Sequence, residues 1–305
     1  MASSPVSIDV VVVCFNSDPE LLTACLSSVK RSYQRANVDG RIILVDNNSE
    51  VAVEKSEFSR GCTIVTLDSN VGFGAASNVG VQSSTADCTL ILNPDACISD
   101  DALLHIAEAV ADWPSALFCG WLEKSGSVQV DAFYDWEFST SRLLRRRSNI
   151  RRLMAASANS RYVPVEKVCG GALFALNRTL LEFGPFDSKF FLYGEDADLS
   201  RRAKNAGINL FAVPGMVVGH VGAASQVKYG ELVERARADA AIRLAAYHRR
   251  RVVSLLQRLE LIIITLAGLI VGGKSSSSNR ARLARLKEVR RWGLASDRDR
   301  LDPRR

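Results

Sequence analysis

Four short apolar runs, "SIDVVVVCF", "RIILVD", "CTIVTLD" and "CTLILN", recur through the first 93 residues, and the last three each end in Asp or Asn. The first is almost continuous β-branched hydrophobe, as a strand buried on both faces requires. Helical segments separate the runs. Asp18 and Pro19 supply an N-cap and a first-turn proline for "ELLTACLSSVKRSY", and "VGFGAASNVGVQ" is a glycine-rich turn running into a second helix. This alternation predicts an α/β fold with a parallel sheet and crossover helices. Ligands bind such sheets beyond the carboxyl ends of the strands. Asp46, Asn70 and Asp95 all fall at or just past those ends.

Further along, a helix is expected over about 100–112, capped near Ser99 and stopped by Pro114, with strands over 115–138. Residues 140–162 hold seven arginines and no acid, which reads as a basic loop or a loosely held amphipathic helix. "VEKVCGGALFALNR" returns to strand. "EDADLSRRAKNAG" has the leading acids, apolar spacing and closing glycine of a helix. "INLFAVPG" is a further strand, and "MVVGHVG" carries His220. A long amphipathic helix is predicted over 230–258, followed by the uncharged stretch 261–273. That stretch is shorter than the roughly 20 apolar residues of a spanning helix. Two readings stand for it, a segment lying in a membrane interface rimmed by arginines, or a helix buried against the body.

Composition sharpens this division. The net charge of +6 splits into +10 for residues 231–305 and −4 for the rest. The basic tail therefore favours an anionic surface such as a membrane, with a solvated face as the alternative for the arginines. A nucleic-acid binder is excluded by their distribution, since they lie outside the α/β body and no recognised binding motif accompanies them. The seven cysteines form no C-x-x-C pair, so we expect buried or boundary thiols in a reducing compartment. The first 15 residues have no basic n-region, so a signal peptide is not expected.

Three motifs carry chemistry. "NVGFGAASNVG" lacks the third glycine of a dinucleotide loop and follows the third strand, not the first. Its glycines, Gly72 at their head, let backbone approach a phosphate or nucleoside, with Asn78 donating from the first turn of the helix. In "LILNPDA", Asp95 directly follows a buried strand and suits Mg2+ or Mn2+, although Asn-Pro-Asp is also ordinary turn chemistry. In "FLYGEDADL", Glu195, Asp196 and Asp198 crowd a helix start. The helix dipole explains some of that charge, but three acids in four residues exceed capping, and mutual repulsion would raise one pKa to suit a general base. By itself His220, among small apolar residues, reads as structural.

In this order and spacing, these motifs together with "VVVVCFNSDPELL", "ILVDNNSE" and "CGGALFALNRTLLEFGPFDSKFFLYGEDADLSRRAKNAG" resemble the family 2 glycosyltransferases, closest to the bacterial rhamnosyltransferase-type branch. The resemblance covers residues 7–225 and implies the GT-A fold, one α/β domain with a mixed, mostly parallel sheet. It suggests a catalytic domain over 1–228 and a basic helical C-terminal extension over 229–305. It implies that Asp46 meets the donor's base, that Phe15 and Asn16 flank the nucleoside, and that Asn70 and Asn78 contact the nucleotide or its sugar. Asp95 stands at the metal-binding acid of the family's D-x-D motif, whose first acid is Asn93 here, and His220 matches a histidine that completes the metal shell in some members. Asp196 matches the catalytic base, Glu195 would orient the acceptor, and Gly170 and Gly171 would give it room. The implied partners are a nucleotide-sugar donor, dTDP-L-rhamnose or a UDP-hexose, and a polyprenyl-diphosphate-linked or other glycan acceptor. The implied location is peripheral, on the cytoplasmic face of a bacterial plasma membrane. Two rivals remain in view: an inactive homologue serving as a membrane scaffold, against which Asp95, Asp196 and His220 together argue, and a nucleotidyltransferase, which would need a basic loop where "CFNSDPE" stands.

Overall fold

Each of the four apolar runs becomes a strand. The computed structural model describes residues 6–53, 57–136, 138–220, 230–271 and 276–303, apart from the side chains at 220, 276 and 277. Strand β1 (Ile8–Cys14) is buried along its whole length. Asp18 caps helix α1 (Pro19–Ala36), accepting from the N–H groups of Glu20 and Leu21, and Pro19 sits where its missing donor is not needed. Strands β2 (Ile42–Asp46) and β3 (Thr63–Thr66), helix α2 (Phe73–Ser83) and strand β4 (Cys88–Leu92) follow, and β3-β2-β1-β4 is parallel throughout.

The chain then adds β5 (Ala96–Ile98), α3 (Ala102–Asp112), β6 (Leu117–Lys124), β7 (Ser127–Val128), α4 (Ser139–Ser157), β8 (Val163–Pro164), β9 (Ala172–Leu176), α5 (Asn177–Phe183), α6 (Glu195–Asn205) and β10 (Leu210–His220). The sheet continues as β9-β6-β10-β5, with β7 and β8 as short side strands on β6 and β10. Four of the seven neighbour pairings along the main path are parallel, giving the mixed, mostly parallel sheet expected. The antiparallel strand β9 sets the neighbourhood of the β4 end. Running against β4, with Ala172 opposite Leu92, it brings its own N-terminal end to the carboxyl end of β4. The predicted strands "INLFAVPG" and "MVVGH" are one strand, bulged between Val213 and Val217 where Pro214 has no N–H to give the ladder. All seven cysteines are free, and each is buried or half-buried as expected.

The C-terminal part differs from the continuous helix expected over 230–258. Helix α7 (Gly230–His248) ends, α8 (Arg251–Val271) begins afresh, and α9 (Ser276–Trp292) returns. The reason is one indole. Arg243 and Arg258 lie over the buried ring of Trp292, with their guanidinium carbons 4.9 and 5.5 Å from its centre. On a straight helix, 15 residues would separate these arginines by about 22 Å. Sharing one ring forces the chain to fold back. The arginine-rich segment 140–162 is helical over most of its length, as α4, not a loop.

Candidate active site

The acidic pair sits on a turn built to aim it. Tyr193 and Gly194 both adopt left-handed backbone, φ 67 and 84, and deliver Glu195 and Asp196 to the first turn of α6. A Cβ on Gly194 would lie 2.9 Å from that of Ala240 in α7, so only glycine lets the two elements close. Glu195 is 6% exposed, and its Oε2 has no hydrogen-bond partner among the described residues. Burial first, and the neighbouring Asp196 second, push its carboxyl up to about 8. Asp196 has a different setting. Its side chain is 17% exposed, Oδ2 lies 3.6 Å from Nζ of Lys167, and the same oxygen accepts from the Gly170 N–H at 3.4 Å. Burial works against the Lys167 ammonium, yet the charge of Asp196, with Cys169 and Asp135, holds its pKa above the ordinary lysine value. Repulsion within the pair adds to burial in raising Glu195, while Asp196 sits beside a cation.

The third acid is structural. Asp198 Oδ1 lies 2.7 Å from Nε2 of His248 and Oδ2 accepts from Nε of Arg202 at 2.7 Å. Its burial is outweighed by these two partners, which hold its pKa below the ordinary carboxylate range. His248 closes α7, so this pair, with the Arg201 bond to the carbonyl of Leu244, fastens the C-terminal helices to α6.

Asp95 lies half-buried in the turn joining β4 to β5. Ala96, the next residue, pairs with His220 in the β5–β10 register, so the backbone places the two candidate metal ligands side by side. The His220 side chain lies outside the described residues. Asn93 donates its N–H to the carbonyl of Gly171 at 3.0 Å, and a Cβ on Gly171 would meet Asn93 Nδ2 at 3.0 Å. The Gly170–Gly171 pair thus touches both motifs at once, the Asn93 turn on one side and Asp196 on the other. No three His, Cys, Asp or Glu groups converge into a metal cage among the described residues. One carboxylate beside a histidine position does fit a hard divalent cation that takes its remaining oxygens from water and a diphosphate.

On the opposite flank, several predicted nucleotide contacts have other work. Asn78 Nδ2 donates to the Phe186 carbonyl at 2.7 Å and its Oδ1 accepts from the Phe186 N–H at 3.1 Å, so its amide pins the loop before α6. Asp46 is 1% exposed, with Oδ1 and Oδ2 accepting from the N–H groups of Ser49 and Val53; it shapes the loop after β2. Asn16, in left-handed backbone, exchanges amide hydrogen bonds with Glu50 and holds the end of β1, beside half-buried Phe15, to that loop. Asn70 Oδ1 accepts from Asn47 Nδ2 and from the Gly72 N–H, each at 3.0 Å. At Gly72, with φ 86, a Cβ would stand 2.1 Å from the Phe191 carbonyl, so this glycine lets the loop before α2 press against the segment that leads to Glu195.

Three residues were not anticipated. Lys167 sits two residues before Cys169 in "VEKVCGG", and its charge beside a glycine pair was the available signal. Asn47 joins the end of β2 to the glycine-rich loop through Asn70 and the Val71 N–H. Arg300 donates to the Val71 carbonyl at 2.8 Å from the far end of the chain, and no local pattern announces such a contact.

The mixed sheet, with acids, glycines and amides gathered at its strand ends, is the architecture of a GT-A glycosyltransferase fold. Residues 9–181 match the family model described as Glycosyl transferase family 2, and the chain belongs to that family. An N-acetylglucosaminyltransferase of Sinorhizobium fredii is 24% identical over 232 residues, covering 72% of this chain and 54% of the relative. The chain thus spans about half the length of that relative. An N-acetylglucosaminyl-diphospho-decaprenol L-rhamnosyltransferase of Mycobacterium tuberculosis is 25% identical over 276 residues, covering 82% of this chain and 84% of the relative. Among solved structures, GalNAc-T7 with UDP, GalNAc and Mn2+ aligns with a TM-score of 0.56 at 14% identity, covering 95% of this chain and 56% of that one. This last likeness speaks for the fold alone.

Proposed function

We propose that the chain is an inverting, metal-dependent glycosyltransferase whose general base is Asp196. The observation that carries this reading is the contrast within the acidic pair, Glu195 buried with Oε2 unpartnered among the described residues, and Asp196 with Oδ2 3.6 Å from Lys167 and 3.4 Å from the Gly170 N–H. The acceptor hydroxyl gives its proton to Asp196 as its oxygen attacks the anomeric carbon, while the bond to the diphosphate breaks on the opposite face. Neutral Glu195 has a proton to donate to an acceptor oxygen and so orients it. Gly170 and Gly171, lacking side chains, leave room for that acceptor. Asp95 and His220 would hold Mg2+ or Mn2+, which supplies charge neutralisation for the departing diphosphate when bound. The donor enters beside Phe15, Asn16, Asp46, Asn70 and Gly72, on the carboxyl ends of the parallel strands.

We take the donor to be dTDP-L-rhamnose, because the mycobacterial rhamnosyltransferase matches over most of both chains. The N-acetylglucosaminyltransferase relatives favour a second reading, a UDP-hexose donor in the same site. A lipid-linked or other cell-envelope glycan is the acceptor, and the enzyme works at the cytoplasmic face of the plasma membrane, residues 1–228 forming the catalytic domain and 229–305 its extension. Thermal stabilisation by dTDP-rhamnose and by UDP-sugars, with and without Mn2+, tests the reading. It expects one nucleotide sugar to raise the melting temperature only with metal present, and stabilisation by none of them contradicts it.

A further inference from the structure

Helix α8 packs Leu261 and Ile262 against the cluster of Ile242, Val289 and Trp292, yet it buries four polar residues and leaves a second apolar stripe outside. Its buried residues are Ser254, Gln257, Arg258 and Thr265. Its exposed side is Val252, Leu256, Leu259, Ile263, Leu266 and Ile270, spaced by threes and fours along one face. Water is the wrong solvent for that face. The helix is long and apolar enough to cross a membrane, but only 22% of its apolar window is buried. Crossing would pull Arg258 from the carbonyls of Gly293 and Ala295 and from the Trp292 ring. A helix lying in the interface keeps those bonds and wets only its apolar face with lipid.

A second element joins the first. Glu260 of α8 accepts from the N–H groups of Ser139 and Thr140, each at 3.0 Å, and from the Thr140 hydroxyl at 2.9 Å, so it caps the start of α4. That cap satisfies the one acid of α8 and ties the start of α4 to the middle of that helix. One turn beyond Thr140 come Leu143 and Leu144, 78% and 84% exposed. Arg146, Arg147 and Arg151 share that side of the helix, all exposed, while Arg145 turns to the body. The root of α4 leads to the catalytic pair. Arg145 lies 3.8 Å from Glu166, next to Lys167, and Asp135 pairs with Arg201 of α6 at 2.6 Å.

We infer that the outer face of α8 and the leucine–arginine face of α4, clamped together by Glu260, form one composite docking surface for an anionic lipid bilayer beside the acceptor side of the site. The apolar stripe enters the acyl boundary and the arginines meet the net negative charge of acidic headgroups, a complementarity that an anionic interface offers and a net-neutral one lacks. The purpose of the surface rests on the lipid-linked acceptor proposed above; its chemistry does not.

Sedimentation of the full chain with vesicles of phosphatidylglycerol and phosphatidylcholine, or of phosphatidylcholine alone, tests this. Wild-type protein is expected to pellet with the anionic vesicles and to be released by salt. The pairs Leu256→Glu with Ile263→Glu, Leu143→Glu with Leu144→Glu, and Arg146→Glu with Arg147→Glu should each lower bound protein by about tenfold or more. Leu104→Glu, on exposed α3, should change nothing. Full binding by either α4 pair overturns the composite surface. So does a dimer that the α8 pair converts to monomer with vesicle binding unchanged, because the face then belongs to a second copy. Metal-dependent stabilisation by nucleotide sugar, read on the same proteins, separates the two ideas. Vesicle binding without nucleotide binding counts against the transferase, and nucleotide binding without vesicle binding counts against the surface.

Discussion

Lys167 holds its ammonium 3.6 Å from Oδ2 of Asp196, on the strand-entry segment that also supplies Gly170 and Gly171. A cation so placed favours the charged carboxylate, which a general base must be before the acceptor arrives. We expect Lys167→Met to lower kcat about 100-fold and to move the acidic limb of the kcat/KM profile to higher pH, while Lys167→Arg keeps the limb near its wild-type position. A purely structural lysine would change stability and leave the profile in place.

Glu195 makes stability pH-dependent. Its folded pKa of about 8 stands above the ordinary glutamate value of 4.5, so the folded state holds its proton over a window in which the unfolded chain releases it. Its contribution therefore falls as pH rises from 4.5 to 8 and is level beyond. Glu195→Gln copies the neutral form. Melting curves should show the variant gaining on the wild type across that window, by several kcal/mol at about pH 8. A constant difference between the two proteins would contradict the buried neutral carboxyl.

Asp198 fixes α6 to the end of α7 through His248, and its lowered pKa means that its support is present at neutral pH and lost as the solution becomes acidic. Asp198→Asn should cost about 3 kcal/mol at pH 7, measured by denaturant unfolding, with the deficit shrinking in acid. The same contacts predict that the C-terminal helices cannot be removed without loosening the catalytic turn.

Gly72→Ala places a methyl 2.1 Å from the Phe191 carbonyl in a left-handed conformation. We expect a loss of about 2 kcal/mol and weaker nucleotide-sugar binding, because the loop must withdraw from the Glu195 turn. Gly61→Ala, whose Cβ would meet no atom within 4 Å, is the control for backbone strain without a clash.

Much of this was legible locally. The buried strand β1, the Asp18 cap and the strand-end positions of Asp46 and Asp95 follow from pattern and propensity acting over a few residues. The division among the three acids did not, because it depends on distant partners: Lys167 for Asp196, His248 for Asp198, and none among the described residues for Glu195 Oε2. The loop contact of Asn78 was hidden for the same reason, since its partner Phe186 lies 108 residues away. The break between α7 and α8 required knowing that Arg243 and Arg258 share Trp292, a relation that no helical periodicity encodes.

The central claim is that Asp196 takes the acceptor's proton and does not hold the donor. Calorimetric binding of the nucleotide sugar to Asp196→Asn, beside a transfer assay on the same protein, tests it directly. We predict donor affinity within about threefold of wild type with transfer reduced at least about 1,000-fold. Donor binding lost together with transfer, or transfer retained, would contradict the assignment.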